Sequence, residues 1–244
     1  LAEILLKEGF TVSGSDTKES PLTKKLVSEG AHIIYGQKAE NITRDIGCVV
    51  YTAAINRNNP ELIEAVALKI PMLTRAELLG QLMKNYDTPI AVSGTHGKTT
   101  TTSMISHILL EGDLDPTISV GGILKAIGGN IRVGNSGTFI TEACEYTNSF
   151  LHFFPKISVI LNIEEDHLDF FKDLEDIRHS FHQFAELLPE DGTLIINAEI
   201  KDYAEIYEGL SCNVVTYGTN GCFDYSAKNI TYDENGHVAF DLFR

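Results

Sequence analysis

The sequence predicts an α/β protein of two successive units, each a mainly parallel sheet faced by helices. Three observations carry that prediction. Strand and helix signals alternate through the first 86 residues. The alternation resumes at Ile90 after a short linker. The turn that follows contains glycine and opens directly into a helix. Alternating β and α segments yield parallel strands joined by crossover helices. The first unit is assigned to residues 1–86 and the second to 87–244.

Ala2–Lys7 reads as the end of a helix, stopped by Gly9. A short strand is expected at Phe10–Ser13, before the turn residues Gly14-Ser15-Asp16. Pro21 opens a helix that Gly30 stops, and His32–Tyr35 is the next strand. Cys48–Thr52 has the composition of a buried strand, with Cys48 as a small core residue. Pro60–Lys69 is a helix, Ile70–Leu73 a strand and Arg75–Lys84 a helix. Asn85–Pro89 is the expected linker. Strands follow at Ile90–Ser93, Phe139–Glu142, Ile157–Ile163, Leu194–Asn197 and Asn213–Tyr217, with a helix from Thr99 to about Leu110. Val238, Phe240 and Leu242 alternate after the turn residues Asp233-Glu234-Asn235-Gly236, which predicts a terminal hairpin.

Composition narrows the function. The chain has 244 residues, 43% hydrophobic and 22% charged, which is ordinary globular usage and excludes a disordered chain. No apolar run approaches the roughly 18–20 residues that span a bilayer. Leu1–Phe10 carries no secretory pattern. The formal charge of −15, without a basic patch, argues against nucleic-acid binding. None of the four cysteines has zinc or redox spacing, and their usage suits a reducing cytoplasm.

The strongest motif is Ser93-Gly94-Thr95-His96-Gly97-Lys98-Thr99-Thr100. Glycines let backbone N–H groups approach phosphate oxygens, and the helix that Lys-Thr opens adds a positive dipole. Lys98 would reach the β- and γ-phosphates of a nucleotide, and the Thr99 hydroxyl would bind Mg²⁺. Val92 stands where full Walker A spacing places its first glycine. Glu142 ends one strand, and Asn162-Ile163-Glu164-Glu165-Asp166-His167-Leu168-Asp169 follows another. Taken singly, these acids could be solvated or could favour a helix N-terminus. Lys98, Thr99, Glu142 and His167 nevertheless all fall just past the carboxyl ends of parallel strands, the edge where open α/β sheets bind ligands. Thr99 and Glu142 are oxygen donors suited to Mg²⁺ bridging ATP phosphates, and His167 suits a second ion.

Gly-Thr-His-Gly-Lys-Thr-Thr-Thr-Thr at 94–102, Glu-Ala-Cys-Glu-Tyr at 142–146, Ser-Phe-Leu at 149–151 and the 162–169 motif together resemble the ATP-dependent Mur ligases. Ser13-Gly14-Ser15-Asp16 and Thr52-Ala53-Ala54-Ile55 resemble that family's UDP-binding first domain, and Gly121-Gly122 a glycine pair near its sugar substrate. The resemblance implies a Rossmann-like UDP-substrate domain followed by a P-loop NTPase-like central domain. It implies ATP binding by Gly94, Thr95, His96, Gly97, Lys98, Thr99 and Thr100, and metal binding by Thr99, Glu142 and His167. Lys98, Glu142 and His167 would be the catalytic set. Ser15, Asp16, Thr52, Ala53, Gly121 and Gly122 would meet substrate. In the alanine-adding branch, ATP phosphorylates the lactyl carboxylate of UDP-N-acetylmuramate, and the amine of L-alanine displaces phosphate from the acyl phosphate. Arg178–His182 contains no lysine where other branches carry a carbamylated one, which fits the alanine-adding branch. The family's first strand with its glycine-rich loop is expected before Leu1. The rest of the central domain and a further domain are expected after Arg244, so this chain alone is not expected to turn over.

Two rivals stay open: a murein-tripeptide recycling ligase with a similar loop, and a nucleotide-binding module without ligase chemistry. A folylpolyglutamate-type ligase fits the first unit less well. Elsewhere, His107 is expected in the core beside Met104, Ile105, Ile108 and Leu109. His179 and His182 share a helical face without a further ligand nearby in sequence. Phe150, Phe153 and Phe154 are expected to pack a loop and Cys144 to be a tolerated small residue, while Arg75 is expected either to be solvated or to meet a substrate phosphate or carboxylate.

Overall fold

The computed structural model describes residues 1–52, 55–219 and 221–244. The chain divides into two compact units, Leu1–Gly80 and Gln81–Arg244. The division falls inside a helix, Arg75–Met83.

The first unit contains α1 (Ala2–Lys7), β1 (Ser13–Asp16), α2 (Pro21–Ser28), β2 (His32–Tyr35), β3 (Val49–Tyr51), α3 (Pro60–Ala67) and β4 (Met72–Thr74). The helix Arg75–Met83, α4, begins here. Two helices start where capping chemistry dictates. Ser20 accepts from the Thr23 N–H at 3.1 Å while Thr23 accepts from the Ser20 N–H at 2.9 Å, and Pro21 occupies the first turn. Asn59 accepts from the N–H groups of Glu61 and Leu62 ahead of α3.

β1 pairs in parallel with β2, Ser13 opposite His32, and β3 pairs in parallel with β4, Val49 opposite Met72. The two ribbons are separate sheets. Two expectations are corrected here. The first strand lies at Ser13–Asp16, not at Phe10–Ser13. Pairing with β2 decides its position, although Ser-Gly-Ser-Asp has little intrinsic strand preference. Cys48 is exposed, not core, and Val50 of β3 is 40% exposed. A three-residue strand paired on one edge does not close a core around itself.

The second unit contains β5 (Thr88–Ser93), α5 (Lys98–Glu111), β6 (Thr117–Leu124), β7 (Gly129–Arg132), β8 (Thr138–Glu142), β9 (Ile157–Ile160), α6 (Leu174–Glu186), β10 (Thr193–Asn197), β11 (Asn213–Gly218), β12 (Tyr225–Tyr232) and β13 (Val238–Phe243). They form one nine-stranded sheet in the order β13-β12-β11-β10-β9-β5-β8-β6-β7. Only its two outer pairs, β12–β13 and β6–β7, are antiparallel. β6 and β7 leave little trace in the sequence because Gly121-Gly122 interrupt β6 and β7 is only four residues long and begins with glycine. The terminal hairpin forms as β12–β13, and Val238, Phe240 and Leu242 on it are exposed. The expected linker shortens, since β5 already begins at Thr88, opposite Thr138. The strand expected to reach Ile163 ends at Ile160.

Ile90, Val92, Ile118, Val120, Leu124, Ile140 and Val159 form the core on one sheet face, with Ile105 and Leu109 of α5 against it. His107 is exposed, and so are Met104 at 61% and Ile108 at 70%. The face of α5 that packs runs through Thr102, Ile105, Ser106 and Leu109, one step round from the stripe read in the sequence. A second cluster stacks Phe150 on Phe184 at 4.6 Å and sets Phe181 edge-on at 5.4 Å. Phe153 is buried too, while Phe154 is 43% exposed beneath the Lys84 ammonium. Asp173 caps α6 by accepting from the Asp176 N–H. Among the described residues no helix is long and apolar enough to cross a membrane.

Candidate active site

β5 and β9 are neighbours in the sheet, and the chain leaves β5 through α5 toward β6 on one side but leaves β9 through α6 toward β10 on the other. Such a switch point opens a crevice at the carboxyl ends of the strands. The loop after β5 fills that position and is fastened along its length to residues 161–164. A Cβ on Gly94 would sit 2.9 Å from Leu161 Cβ and 3.2 Å from Asn162 N, so only glycine allows this approach. Thr95 N–H donates to the Asn162 carbonyl, and the Thr95 hydroxyl accepts from Glu164 N–H at 2.9 Å. The Asn162 side chain brackets His96, accepting from its N–H at 2.7 Å and donating to its carbonyl at 3.0 Å. This is why the chain bends after Ile160 instead of extending the strand. Gly97, at φ +83°, then caps α5, whose first turn carries Lys98, Thr99 and Thr100.

The Lys98 ammonium donates to the carbonyls of Gly94 and Thr95 and to both Glu145 oxygens, at 3.0 and 2.8 Å. Glu145 is 2% exposed. A carboxylate that buried requires a cation or several donors. Its Oε1 also lies 3.8 Å from His167 Nε2. The Thr99 hydroxyl donates to Glu142 Oε2 at 2.9 Å, and Gly121 N–H donates to Glu142 Oε1 at 2.5 Å. Adjacent Lys98 and Thr99 thus link two acids three residues apart, and Glu145 extends the chain of contacts to His167.

His167 has a left-handed backbone, φ +52°, that aims the imidazole. Asp166 accepts from its N–H at 2.7 Å, and its carbonyl accepts from Phe170 and Phe171. Its ring stacks on Tyr146 at 4.4 Å, and the Tyr146 hydroxyl donates to Asp169 at 2.7 Å. That hydrogen bond to Asp169 pushes the phenol above its ordinary range. Cys144 reaches the surface, but desolvation and the Glu145 carboxylate raise its thiol, which does not describe an activated nucleophile.

Within the first unit, Ser15, Asp16 and Thr52 line one cleft of about 450 Å³, between the edges of β1 and β3. Ala53 lies outside the described residues. The Ser15 hydroxyl is held by Glu61 at 2.6 Å, and Asn41 donates to the other Glu61 oxygen. Asp16 accepts from the N–H groups of Thr17 and Lys18. His179 and His182 line a separate hollow in the second unit with Arg178 and Glu205, and His182 Nδ1 lies 3.1 Å from the Ile206 carbonyl.

The sequence pointed to Lys98, Thr99, Glu142 and His167 but not to Glu145, Asn162 or Tyr146. All three stand inside the motifs, and nothing in their spacing distinguishes an acid that meets the lysine from one that meets solvent. Among the described residues no group of three His, Cys, Asp or Glu side chains forms a metal cage of its own. The oxygen donors Thr99 and Glu142 therefore fit a Mg²⁺ ion only as part of a shell that phosphate oxygens complete.

The fold and this loop define an α/β protein of the phosphate-binding-loop type. The chain belongs to the Mur ligase family. The family model "Mur ligase middle domain" matches residues 92–243, and "Mur ligase family, catalytic domain" matches residues 1–87. A UDP-N-acetylmuramate–L-alanine ligase of Agathobacter rectalis is 62% identical across 100% of this chain and 53% of its own length. One from Clostridium kluyveri is 54% identical over the same shares. The chain spans about half the length of the curated relatives it matches. The crystal structure of the UDP-N-acetylmuramate-alanine ligase from Thermotoga maritima has 27% identity and a TM-score of 0.78, over 95% of this chain and 52% of that one. The UDP-N-acetylmuramate:L-alanyl-gamma-D-glutamyl-meso-diaminopimelate ligase from Neisseria meningitides has 26% identity and a TM-score of 0.85, over 99% of this chain and 79% of that one.

Proposed function

We propose that this chain supplies the UDP-substrate unit and the central ATP unit of a ligase that joins L-alanine to UDP-N-acetylmuramate, in peptidoglycan precursor synthesis. The observation that carries the chemistry is the linked set Glu142, Thr99, Lys98, Glu145 and His167 behind a phosphate-binding loop. The choice of alanine as acceptor rests on 54–62% identity to relatives of that name. Shape does not favour alanine as the acceptor, because the tripeptide-adding structure superposes with a TM-score of 0.85 against 0.78 for the alanine-adding one.

In this reading the N–H groups of Gly97, Lys98, Thr99 and Thr100 at the start of α5 receive the ATP phosphates, since those of Thr95 and His96 already donate to Asn162. Lys98 turns from the loop carbonyls toward the β- and γ-phosphates. Glu145 stays beside it and limits how far the ammonium travels. Thr99 and Glu142 would hold one Mg²⁺, and His167, with Glu145 beside it, would meet a second. These ions would neutralise the charge that spreads over the transferring phosphoryl group. A lactyl carboxylate oxygen bonds to the γ-phosphorus as the bond to ADP breaks. The alanine nitrogen then attacks the acyl carbon, the acyl–oxygen bond breaks with its electron pair going to the departing phosphate, and that phosphate takes up the proton the nitrogen loses. Ser15, Asp16, Thr52, Ala53, Gly121 and Gly122 would contact the UDP-sugar. Such nucleotide substrates, with four free cysteines, suit a cytoplasmic enzyme.

The test uses the longer protein that contains this chain. It is incubated with Mg-ATP and UDP-N-acetylmuramate, with either L-alanine or the murein tripeptide, and the UDP product is identified by mass. An alanyl product is expected. A product only with the tripeptide would assign the recycling ligase, and ATP binding without any product would leave a nucleotide-binding module.

A further inference from the structure

We propose that Gly121 is a positioning residue: its backbone N–H holds the Glu142 carboxylate in the orientation that receives Mg²⁺. The proposal rests on the reading of Glu142 as a metal ligand given above.

The geometry is set by strand register. β6 runs beside β8 with Ser119 opposite Thr141, and pairing stops there. Gly121 is two residues further on, level with the side chain of Glu142 rather than its backbone. Its N–H donates to Oε1 at 2.5 Å, while Thr99 donates to Oε2 at 2.9 Å. Each carboxylate oxygen thus has its own donor, one of them a backbone group that cannot rotate away. An N–H to a charged oxygen is among the stronger hydrogen bonds. Groups that orient a metal ligand in this way commonly contribute about 10–100-fold in metal affinity.

The residue must also be small. A Cβ at 121 would stand 2.8 Å from Oε2 and 3.2 Å from Oε1. A Cβ at 122 would stand 3.3 Å from the Thr99 methyl, so the next residue crowds the other member of the pair. Gly121 does not have a left-handed φ, so alanine meets no backbone strain there and the collision falls on the carboxylate. The glycine at 121 is therefore explained by Glu142, whatever else approaches it.

The experiment uses the longer protein that contains this chain and compares Gly121→Ala with wild type by titrating Mg²⁺ against binding of a fluorescent ATP analogue. Binding without Mg²⁺ and thermal melting are measured alongside. Gly129→Ala is the control, because a Cβ there meets nothing within 4 Å. The alanine variant is expected to need at least about tenfold more Mg²⁺ for half-maximal binding. Its metal-free nucleotide affinity and melting temperature should match those of wild type, and Gly129→Ala should titrate as wild type. In a Glu142→Asp background the shorter acid leaves room for the methyl, so adding Gly121→Ala should raise the Mg²⁺ requirement much less. A Gly121→Ala titration identical to wild type would overturn the proposal. Equal loss of metal-free and Mg²⁺-supported binding would also overturn it, by making Gly121 merely structural. Nucleotide binding by wild type that ignores Mg²⁺ would instead remove the metal reading, and this proposal with it.

Discussion

The Lys98 ammonium lies 2.8 Å from the carboxylate of Glu145, whose side chain is 2% exposed. The lysine that a nucleotide would meet is thus already neutralised by a buried acid. Two loop carbonyls share the same ammonium, at 2.6 and 3.1 Å. Removing one member of a buried pair costs far more than removing both, because a lone buried charge is left behind.

Lys98→Met should therefore lower stability by about 3–5 kcal/mol. Adding Glu145→Gln should restore most of it, although nucleotide binding stays lost. Thermal melts of the two single variants and the double variant check this. Equal melting of Lys98→Met and the double variant would show that the two charges are not coupled.

Asn162→Ala removes both hydrogen bonds to His96 and frees the loop from its neighbour. Two ordinary hydrogen bonds suggest a loss of about 1–3 kcal/mol. The binding-competent loop should be less populated, so nucleotide affinity should fall about tenfold. Denaturant melts and nucleotide titration measure the two effects separately.

Tyr146 supports His167 from below. Tyr146→Phe keeps the stack and breaks only the bond to Asp169, whereas Tyr146→Ala removes both. The phenylalanine variant should bind Mg-nucleotide nearly as wild type does, and the alanine variant should bind it several-fold less well. An NMR titration of the His167 ring protons, which shift when its environment changes, provides an independent reading.

The loop between α5 and β6 has a pH-dependent clamp. Arg132 donates to Asp115 at 2.5 Å, and the Asn135 backbone and side chain donate to its other oxygen. The Arg132 bond first, then those from Asn135, holds the Asp115 carboxyl below its ordinary range. A depressed folded pKa contributes stability that is present above the unfolded value, about 3.9, and is lost as pH falls through the lower folded value. Asp115→Asn should melt below wild type at pH 7, and the difference should close in acid. A difference that persists unchanged at pH 2 would contradict this.

Much of the second unit was legible in the sequence because its signals are local. The loop from Gly94 to Thr99, the β-rich runs at 139–142 and 194–197, and the hairpin turn at 233–236 each declare themselves within a few residues. The misses share a different cause. The strand at Ser13–Asp16 owes its place to β2, not to its own residues. The packed face of α5 depends on where the sheet lies, and Thr102 and Ser106, buried there, do not look apolar. Within the site, Glu142 and Glu145 are chemically identical in sequence. Only the fold assigns one to Thr99 and Gly121 and the other to Lys98.

The most direct test of the central claim, that this edge of the sheet is an ATP site, is calorimetric titration of the chain with ATP. It is run with and without Mg²⁺, beside Lys98→Met and the Asn162→Ala variant. The account predicts one site per chain that Mg²⁺ strengthens, that Lys98→Met abolishes and that Asn162→Ala weakens. Binding of equal strength in wild type and Lys98→Met would place the nucleotide elsewhere and contradict it.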